Sequence, residues 1–553
     1  MSKFKNNQLL KQSLRSIPTK ERIVETVNMP KPDTTNRCGA PAYSLPDELR
    51  LLAMLNTIKL EGDQFYRKES ETMKELRDLV EKIAMKDPYY VAQMIVWSRC
   101  KGEGMRSICH LAASLLAPFI SGQEWGRRFY SVWNKKEQKG GCIFRLDDMS
   151  EILHIFSSLN QTKLTNAMKK GFANVLESVD SYQLLKYKKT ALDIMNLCHP
   201  NSKLSRATVE VGGYDVKTLD AIKKDLSVSA KTWEAVQSEA GQIVAQAVRE
   251  GKLTREEAEK TLEQAKSNNW NELLVEGKLG ILAALRNIRN ILKVTNTREN
   301  IDLLCELLSN GDLILKGKIM PYQIDIAYQV LEDEFTGWQY KGMVETALLK
   351  GYEASVPNLK EALPGKTCVM VDCSGSMWAR CYNSGTRKQI SKTACEKAGL
   401  IAATIAKSCD CDIVRFGDIA NFFTPNLKHD VFSLGREIAN DSYGGTCIGA
   451  AFDLIRKNKR AYDRIILLSD NECNRTCDWR GRSWVQDDYK NYMREVCSPY
   501  VYCVDFCAYG TIPVANPGKV NYYFGYGYSM FNDIASKEFK PEAHLEEVKK
   551  IVI

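Results

Sequence analysis

The sequence predicts a multidomain chain: an all-α part of stacked helix pairs, followed by an α/β part built on a doubly wound sheet. Three observations predict this. From Pro46 to about residue 355, amphipathic segments recur with short turns between them, and strand-like alternation is almost absent. Beyond Pro364, apolar runs of strand length alternate with helical segments, the pattern of a largely parallel sheet. The chain has 553 residues, more than a single core usually serves.

Residues 1–45 are polar and carry Pro18, Pro30, Pro32 and Pro41, which predicts an irregular arm. Helical periodicity then covers Asp47–Leu60, Thr72–Met85, Tyr89–Arg99, Ser107–Phe119, Met149–Leu159, Lys163–Leu176 and Thr190–Cys198. Asp87-Pro88, Lys101-Gly102 and His199-Pro200 punctuate these segments. The periodicity resumes over Asn271–Leu292, Thr297–Leu308 and Pro321–Leu331. Short helices that cannot stand alone suggest an α-solenoid, although no strict repeat period is present. Residues 205–270 differ in texture: Lys252–Ala265 carries Glu and Lys at helical pair spacing, a solvated face. This stretch reads as a helical elaboration between repeats. The helical part thus spans 46–360 and the α/β part 364–553. In the second part, strands are read at Lys366–Val371, Cys411–Phe416, Arg464–Ser469 and Tyr500–Phe506, with an edge strand at Asn521–Gly525. A long helix is read at Ser391–Lys407 and a last one from about Phe531.

Composition narrows the function classes. No apolar run is long enough to span a bilayer, and the N-terminal residues 1–8 lack the apolar core of a secretory signal. A cytoplasmic protein without a membrane partner is expected. The 18 cysteines fall largely in apolar segments, as at Cys109, Cys198, Cys305 and Cys503, and read as small hydrophobes in a reducing compartment. Cys473 with Cys477, or Cys409 with Cys411, offers half of a zinc site, with no second pair or His at ligand spacing. Of the formal charge of +9, residues 361–553 carry only +2, from 25 Lys+Arg against 23 Asp+Glu. The basic excess therefore lies in the first 360 residues and points to an anionic partner. Pro364-Gly-Lys-Thr367 ends like a phosphate loop, but Lys360 stands where the upstream Gly is required and the segment leads into a strand. Nucleotide hydrolysis has no support.

One stretch carries the chemistry of the α/β part. Val369-Met-Val-Asp372-Cys-Ser374-Gly-Ser376 is a buried strand that ends abruptly in a carboxylate and two hydroxyls. Such groups at the carboxyl end of a parallel strand sit where open α/β sheets bind ligands. Oxygen donors of this kind suit Mg2+ or another hard divalent cation. Thr446 lies at a loop-to-helix start after Tyr443-Gly-Gly445, and Asp470 ends a second apolar strand, Arg464–Ser469. On a bland reading Asp372, Ser374 and Ser376 cap a turn and a helix. Together, Asp372-x-Ser374-x-Ser376, Thr446 and Asp470 resemble the metal-ion-dependent adhesion site of von Willebrand factor A domains. That resemblance implies one Mg2+ with an open position for an acidic group from a protein partner.

Asn36-Arg-Cys-Gly-Ala40, Leu51–Asn56 leading to Gly62-Asp-Gln-Phe-Tyr66, Asp87–Arg99, Lys163–Leu176 and Ala283–Ile288 together resemble the TROVE module of the Ro ribonucleoprotein (SS-A/Ro autoantigen) family and its bacterial homologues. The order, helical module then von Willebrand A domain, is also that of the family. The resemblance implies a closed, monomeric ring of HEAT-like helical repeats whose ends the A domain joins. It further implies a cavity that takes single-stranded 3′ ends of defective RNAs and an outer surface that binds small Y RNA-type RNAs, in non-coding RNA quality control. Beside this stands a physical reading. Between Gln161 and Arg206, Lys163, Lys169, Lys170, Lys186, Lys188 and Lys189 form a basic stretch with few acids, and on a helix Lys163 and Lys170 share a face. His199 reads either as a phosphate or base contact or as a helix-terminal cap. Arg286 and Arg289 line the ring's inner wall or pair with carboxylates of a neighbouring repeat; Arg106, Arg127 and Arg128 are equally open. The expectation is a non-enzymatic RNA-binding ribonucleoprotein. The alternative is a cation-dependent protein-binding scaffold acting through the A domain. A hydrolase fares worst, since none of the five His has a catalytic signature around it.

Overall fold

A computed structural model of the chain describes residues 29–60, 63–159, 163–178, 187–198, 243–295, 297–317, 319–356, 363–379, 392–440, 444–476, 484–525 and 543–553. The chain divides into two compact units. One takes the residues up to Leu76 together with Val356–Glu546, and the other takes Arg77–Ser355 with Glu547–Ile553. The strands, in chain order, are β1 (Thr34–Thr35), β2 (Pro41–Ser44), β3 (Trp133–Asn134), β4 (Lys139–Gly140), β5 (Thr367–Asp372), β6 (Cys411–Phe416), β7 (Ala420–Phe423), β8 (Arg464–Ser469), β9 (Tyr500–Asp505), β10 (Thr511–Ile512) and β11 (Val520–Phe524).

The first unit is built on a six-stranded sheet of order β11-β9-β8-β5-β6-β7, parallel except for β7. β5 and β8 are buried along their whole length, which explains why they read as unbroken apolar runs rather than alternating ones. On one face, Cys368, Met370, Phe416, Ile465, Leu467 and Cys503 pack against Ile448, Phe452, Tyr489 and Tyr492. Those partners lie on the helices Ile448–Lys457 and Val485–Glu495. The helix Ala394–Ser408 is buried almost throughout and starts at a capping box, in which Thr393 and Glu396 satisfy each other's backbone N–H groups. It lies against the helix Val431–Ile438 so closely that a Cβ on Gly399 would meet Gly435 O at 2.4 Å. β7 is a short edge strand of half-exposed and exposed residues that the sequence reading did not identify.

Residues 34–44 are not an irregular arm. β1 and β2 form a hairpin closed by the Asn36–Ala40 turn, and β2 pairs with β10. Asn36 Oδ1 accepts from the N–H groups of Cys38 and Ala40 at 3.1 and 2.9 Å, and Gly39 takes φ +83°. Pro41 sits at the start of its strand, where a missing donor is tolerated.

The second unit is helical. Its helices include Pro88–Cys100, Ser107–Leu116, Leu146–Ser158, Asn166–Ser178, Arg255–Val275, Arg298–Ser309, Pro321–Glu334 and Lys341–Ser355. The helical periodicity read over Asn271–Leu292 falls on three helices: Arg255–Val275 ends before Gly277 at φ +64°, and Asn287 separates Ile281–Arg286 from Ile288–Val294. No described helix is long and apolar enough to cross a membrane. Gln93 Nε2 donates to Lys549 O and Ile551 O at 3.0 and 2.7 Å, so the motif helix Pro88–Cys100 holds the C-terminal residues.

Asp148 anchors this unit. Its fully buried carboxylate accepts from Arg99 Nη2 at 3.0 Å, Arg106 Nε at 2.8 Å, and the N–H groups of Phe144 and Arg145 at 2.9 and 3.0 Å. Breaking a buried pair leaves the partner charge uncompensated, so Asp148→Ala is expected to lose about 3–5 kcal/mol of unfolding free energy. A urea denaturation midpoint unchanged from the parent would refute this.

Candidate metal centre and nucleic-acid interface

The five predicted metal residues come together at the carboxyl ends of β5 and β8. Asp372 ends β5, and its Oδ1 accepts from Ser374 N at 2.9 Å, which turns the chain back over the strand end. Ser374 Oγ lies 3.2 Å from Ser376 Oγ, and Ser376 lies against the Asp470 carboxylate. The loop bearing Thr446 is tied in by Gly375 N donating to Gly444 O at 2.9 Å. Gly444 holds φ +78°, a backbone conformation that favours glycine. Thr446 N donates to Asn474 Oδ1 at 2.8 Å, and Asp470 Oδ1 accepts from Glu472 N at 3.1 Å.

Thr446 Oγ1 and Asp470 Oδ2 are buried without a hydrogen-bond partner among the described residues. Orphaned oxygens in a dry site cost free energy unless something binds them. Burial, and then the nearby Asp470, push Asp372 up to about 7, and burial raises Asp470 as well. Glu472, buried beside Asp470, is pushed up to about 8. Two carboxylates and three hydroxyls, with two oxygens unclaimed, fit a hard divalent cation. Sequence reasoning missed two supports. Ser469 Oγ donates to Asp372 Oδ2 at 2.5 Å, and Asn474 orients the Thr446 loop. Ser469 reads only as a strand residue, and Asn474 reaches the site through a loop.

Only part of the predicted basic stretch falls within the described residues. Lys163 is exposed but precedes the helix Asn166–Ser178, so helical spacing does not place it on one face with Lys170. Lys169 is half-buried on that helix and Lys170 is exposed. Lys188 and Lys189 begin the helix Lys188–Cys198, with side chains outside the described residues; Lys186 and His199 also lie outside them. Arg286 is exposed, whereas Arg289 Nε donates to both Glu334 oxygens at 2.6 and 2.8 Å. Arg289 is therefore the carboxylate-paired alternative, and Arg106 is spent on Asp147, Asp148 and Glu151.

Arg127 and Arg128 behave differently. With Trp125, Asn166 and Lys170 they line an open cleft of about 680 Å3, in which Glu124 is the acidic lining residue. Among the described residues neither arginine nor Lys170 has a carboxylate partner. The cleft exists because two glycines let its walls meet. A Cβ on Gly171 would come within 2.7 Å of Arg127 O and 2.6 Å of Tyr130 Cβ, and one on Gly126 would lie 2.3 Å from Ile120 Cγ2. This close approach sets the Gly126–Phe129 turn beside the helix carrying Lys170.

Comparison with known proteins places part of the chain. Residues 245–347 match the TROVE domain, a stretch that contains Ala283–Ile288. The match begins inside the segment read from sequence as a divergent insert, so residues 245–270 fall within it. Among solved structures, the Ro (RSR) protein of Deinococcus radiodurans is similar at 15% identity and a TM-score of 0.46, over 89% of this chain and 100% of that one. No curated protein matches the chain.

Proposed function

We infer that this chain, which carries a TROVE domain, is an RNA-binding protein of the Ro type. The observation that carries the reading is the cleft in the helical unit, where Arg127, Arg128 and Lys170 converge without carboxylate partners among the described residues. Guanidinium forks grip phosphate oxygens in pairs, and the half-buried Trp125 offers an apolar surface on which a base stacks. Small structured non-coding RNAs of the Y RNA type and single-stranded 3′ ends of defective RNAs are the proposed ligands, bound in RNA quality control without catalysis. The helical part is proposed as a HEAT-like ring closed by a von Willebrand A-type domain, acting as a monomer in the cytoplasm. The test is binding of a small stem-loop RNA to the full chain across a salt series. Affinity that falls steeply and linearly on a log–log plot is expected, with a slope of roughly −0.7 to −0.9 per neutralised phosphate. Affinity indifferent to salt overturns the reading.

A second reading concerns the sheet. Asp372, Ser374, Ser376, Thr446 and Asp470 are proposed to hold one Mg2+ or a similar cation, motivated by the two orphaned oxygens. When bound, the cation supplies positive charge that an acidic group of a partner can meet. A scaffold that uses only this site would bind an acidic protein in the presence of Mg2+ and ignore RNA.

A further inference from the structure

The N-terminal segment is fastened over the carboxyl end of the sheet, within the first unit. Asn36 Nδ2 donates to Cys473 O at 2.7 Å, and Arg37 N donates to Glu472 Oε2 at 2.8 Å. Gln64 and Arg67 close a tight turn by backbone bonds in both directions. The buried Arg67 clamps that turn to the loop after β9, with bonds of 3.1 Å to both Cys507 O and Ala508 O. Gln64 Nε2 donates to Cys507 O at 3.1 Å, and Tyr66 N donates to Tyr509 Oη at 3.3 Å.

Tyr66 is the tip of this turn. Its ring meets Phe65 and Tyr509 edge-on, with centroids 4.7 and 5.8 Å away. Its hydroxyl is within hydrogen-bond reach of Ser376 and Cys38, and it accepts from Asn474 Nδ2 at 3.5 Å. Asn474 in turn holds Thr446 N through its Oδ1. Tyr66 thus faces the candidate ligand Ser376 and reaches a second, Thr446, through one side chain.

We propose that Tyr66 is the chain's own contact to the shell of a cation bound at this site, so that the cation and residues 36–40 and 64–67 hold each other against the sheet. The proposal rests on the reading that the five residues bind a cation. Tyr66 is a positioning residue: its phenol orients Ser376 and, through Asn474, the Thr446 loop. An acidic group arriving from outside has to displace it.

The experiment uses the full chain and Mn2+ as the probe, with electron paramagnetic resonance for binding and hydrogen exchange for the segment. The parent is expected to bind one Mn2+, with slowed exchange at residues 36–40 and 64–67. Tyr66→Phe keeps the ring and its packing but removes the hydroxyl. It is expected to weaken Mn2+ binding about tenfold, as loss of a group that orients metal ligands does, and to abolish the slowing. Unchanged exchange along β5 and β8 verifies that the variant is folded. A variant with the parental affinity and the parental slowing overturns the role of Tyr66 and leaves the metal reading standing. A parent that binds no Mn2+ overturns both.

Discussion

Asp372→Ala is expected to abolish divalent-cation binding while leaving the sheet folded. Asp372 supplies one of two carboxylates in the candidate set; the other donors, Ser374, Ser376 and Thr446, are neutral hydroxyls, and Mg2+ is held chiefly through one or two carboxylates. The substitution also removes the acceptor of Ser469 Oγ and Ser374 N. Each lost bond costs on the order of 1 kcal/mol. Against that, it relieves a buried carboxylate that burial and Asp470 disfavour. In EDTA, parent and variant should therefore melt at similar temperatures. In Mg2+ they should separate, because a ligand at a hundred times its Kd stabilises the parent by about 2.7 kcal/mol and the variant not at all. Titration calorimetry showing undiminished Mg2+ binding by the variant would remove Asp372 from the site.

The grouping of these five residues was legible because each follows a local pattern. A strand that stops at a carboxylate, a glycine-bearing turn and a helix start are all written over a few consecutive residues. Their supports were not legible. Ser469, Asn474 and Tyr66 reach the site through pairings between distant segments, and no period in the sequence records them. The N-terminal motif stretches show the same gap. Asn36–Ala40 and Gly62–Tyr66 resemble parts of the helical module, yet the hydrogen bonds of Asn36, Arg37 and Gln64 run to Cys473, Glu472 and Cys507 in the sheet unit. Adjacency along the chain was a poor guide where a buried arginine such as Arg67 fastens a turn to a loop 440 residues away.

The basic residues fared unevenly for a related reason. Whether a cation is free depends on its partners, which composition does not reveal. Arg289 is paired with Glu334, 45 residues on, whereas Arg127 and Arg128 line a cleft with no carboxylate partner among the described residues. That cleft depends on Gly126 and Gly171, whose close approach to Ile120, Arg127 and Tyr130 no sequence pattern records. Lys170 belongs with these arginines because of that close approach, and not because of its spacing from Lys163.

Replacing Arg127, Arg128 and Lys170 together with alanine is expected to weaken binding of a small structured RNA by roughly a hundredfold near physiological salt. The magnitude follows from counterion release. If each cation neutralises one phosphate, the log–log salt slope should fall by roughly 2 to 3 units, and each lost contact costs somewhat more than half a log unit of affinity at that ionic strength. The three side chains line an open cleft and carry no carboxylate pair among the described residues, so their loss should cost little stability. Arg289→Ala is the internal control: its charge is already met by Glu334, and it should shift the slope by much less than one unit. Lys substitution of both arginines separates charge from geometry. It should restore most of the slope, but only part of the affinity, because an ammonium cannot form the paired bonds of a guanidinium. A triple variant that retains parental affinity and slope would leave the cleft a solvated surface and shift the search to Arg286 and Lys163.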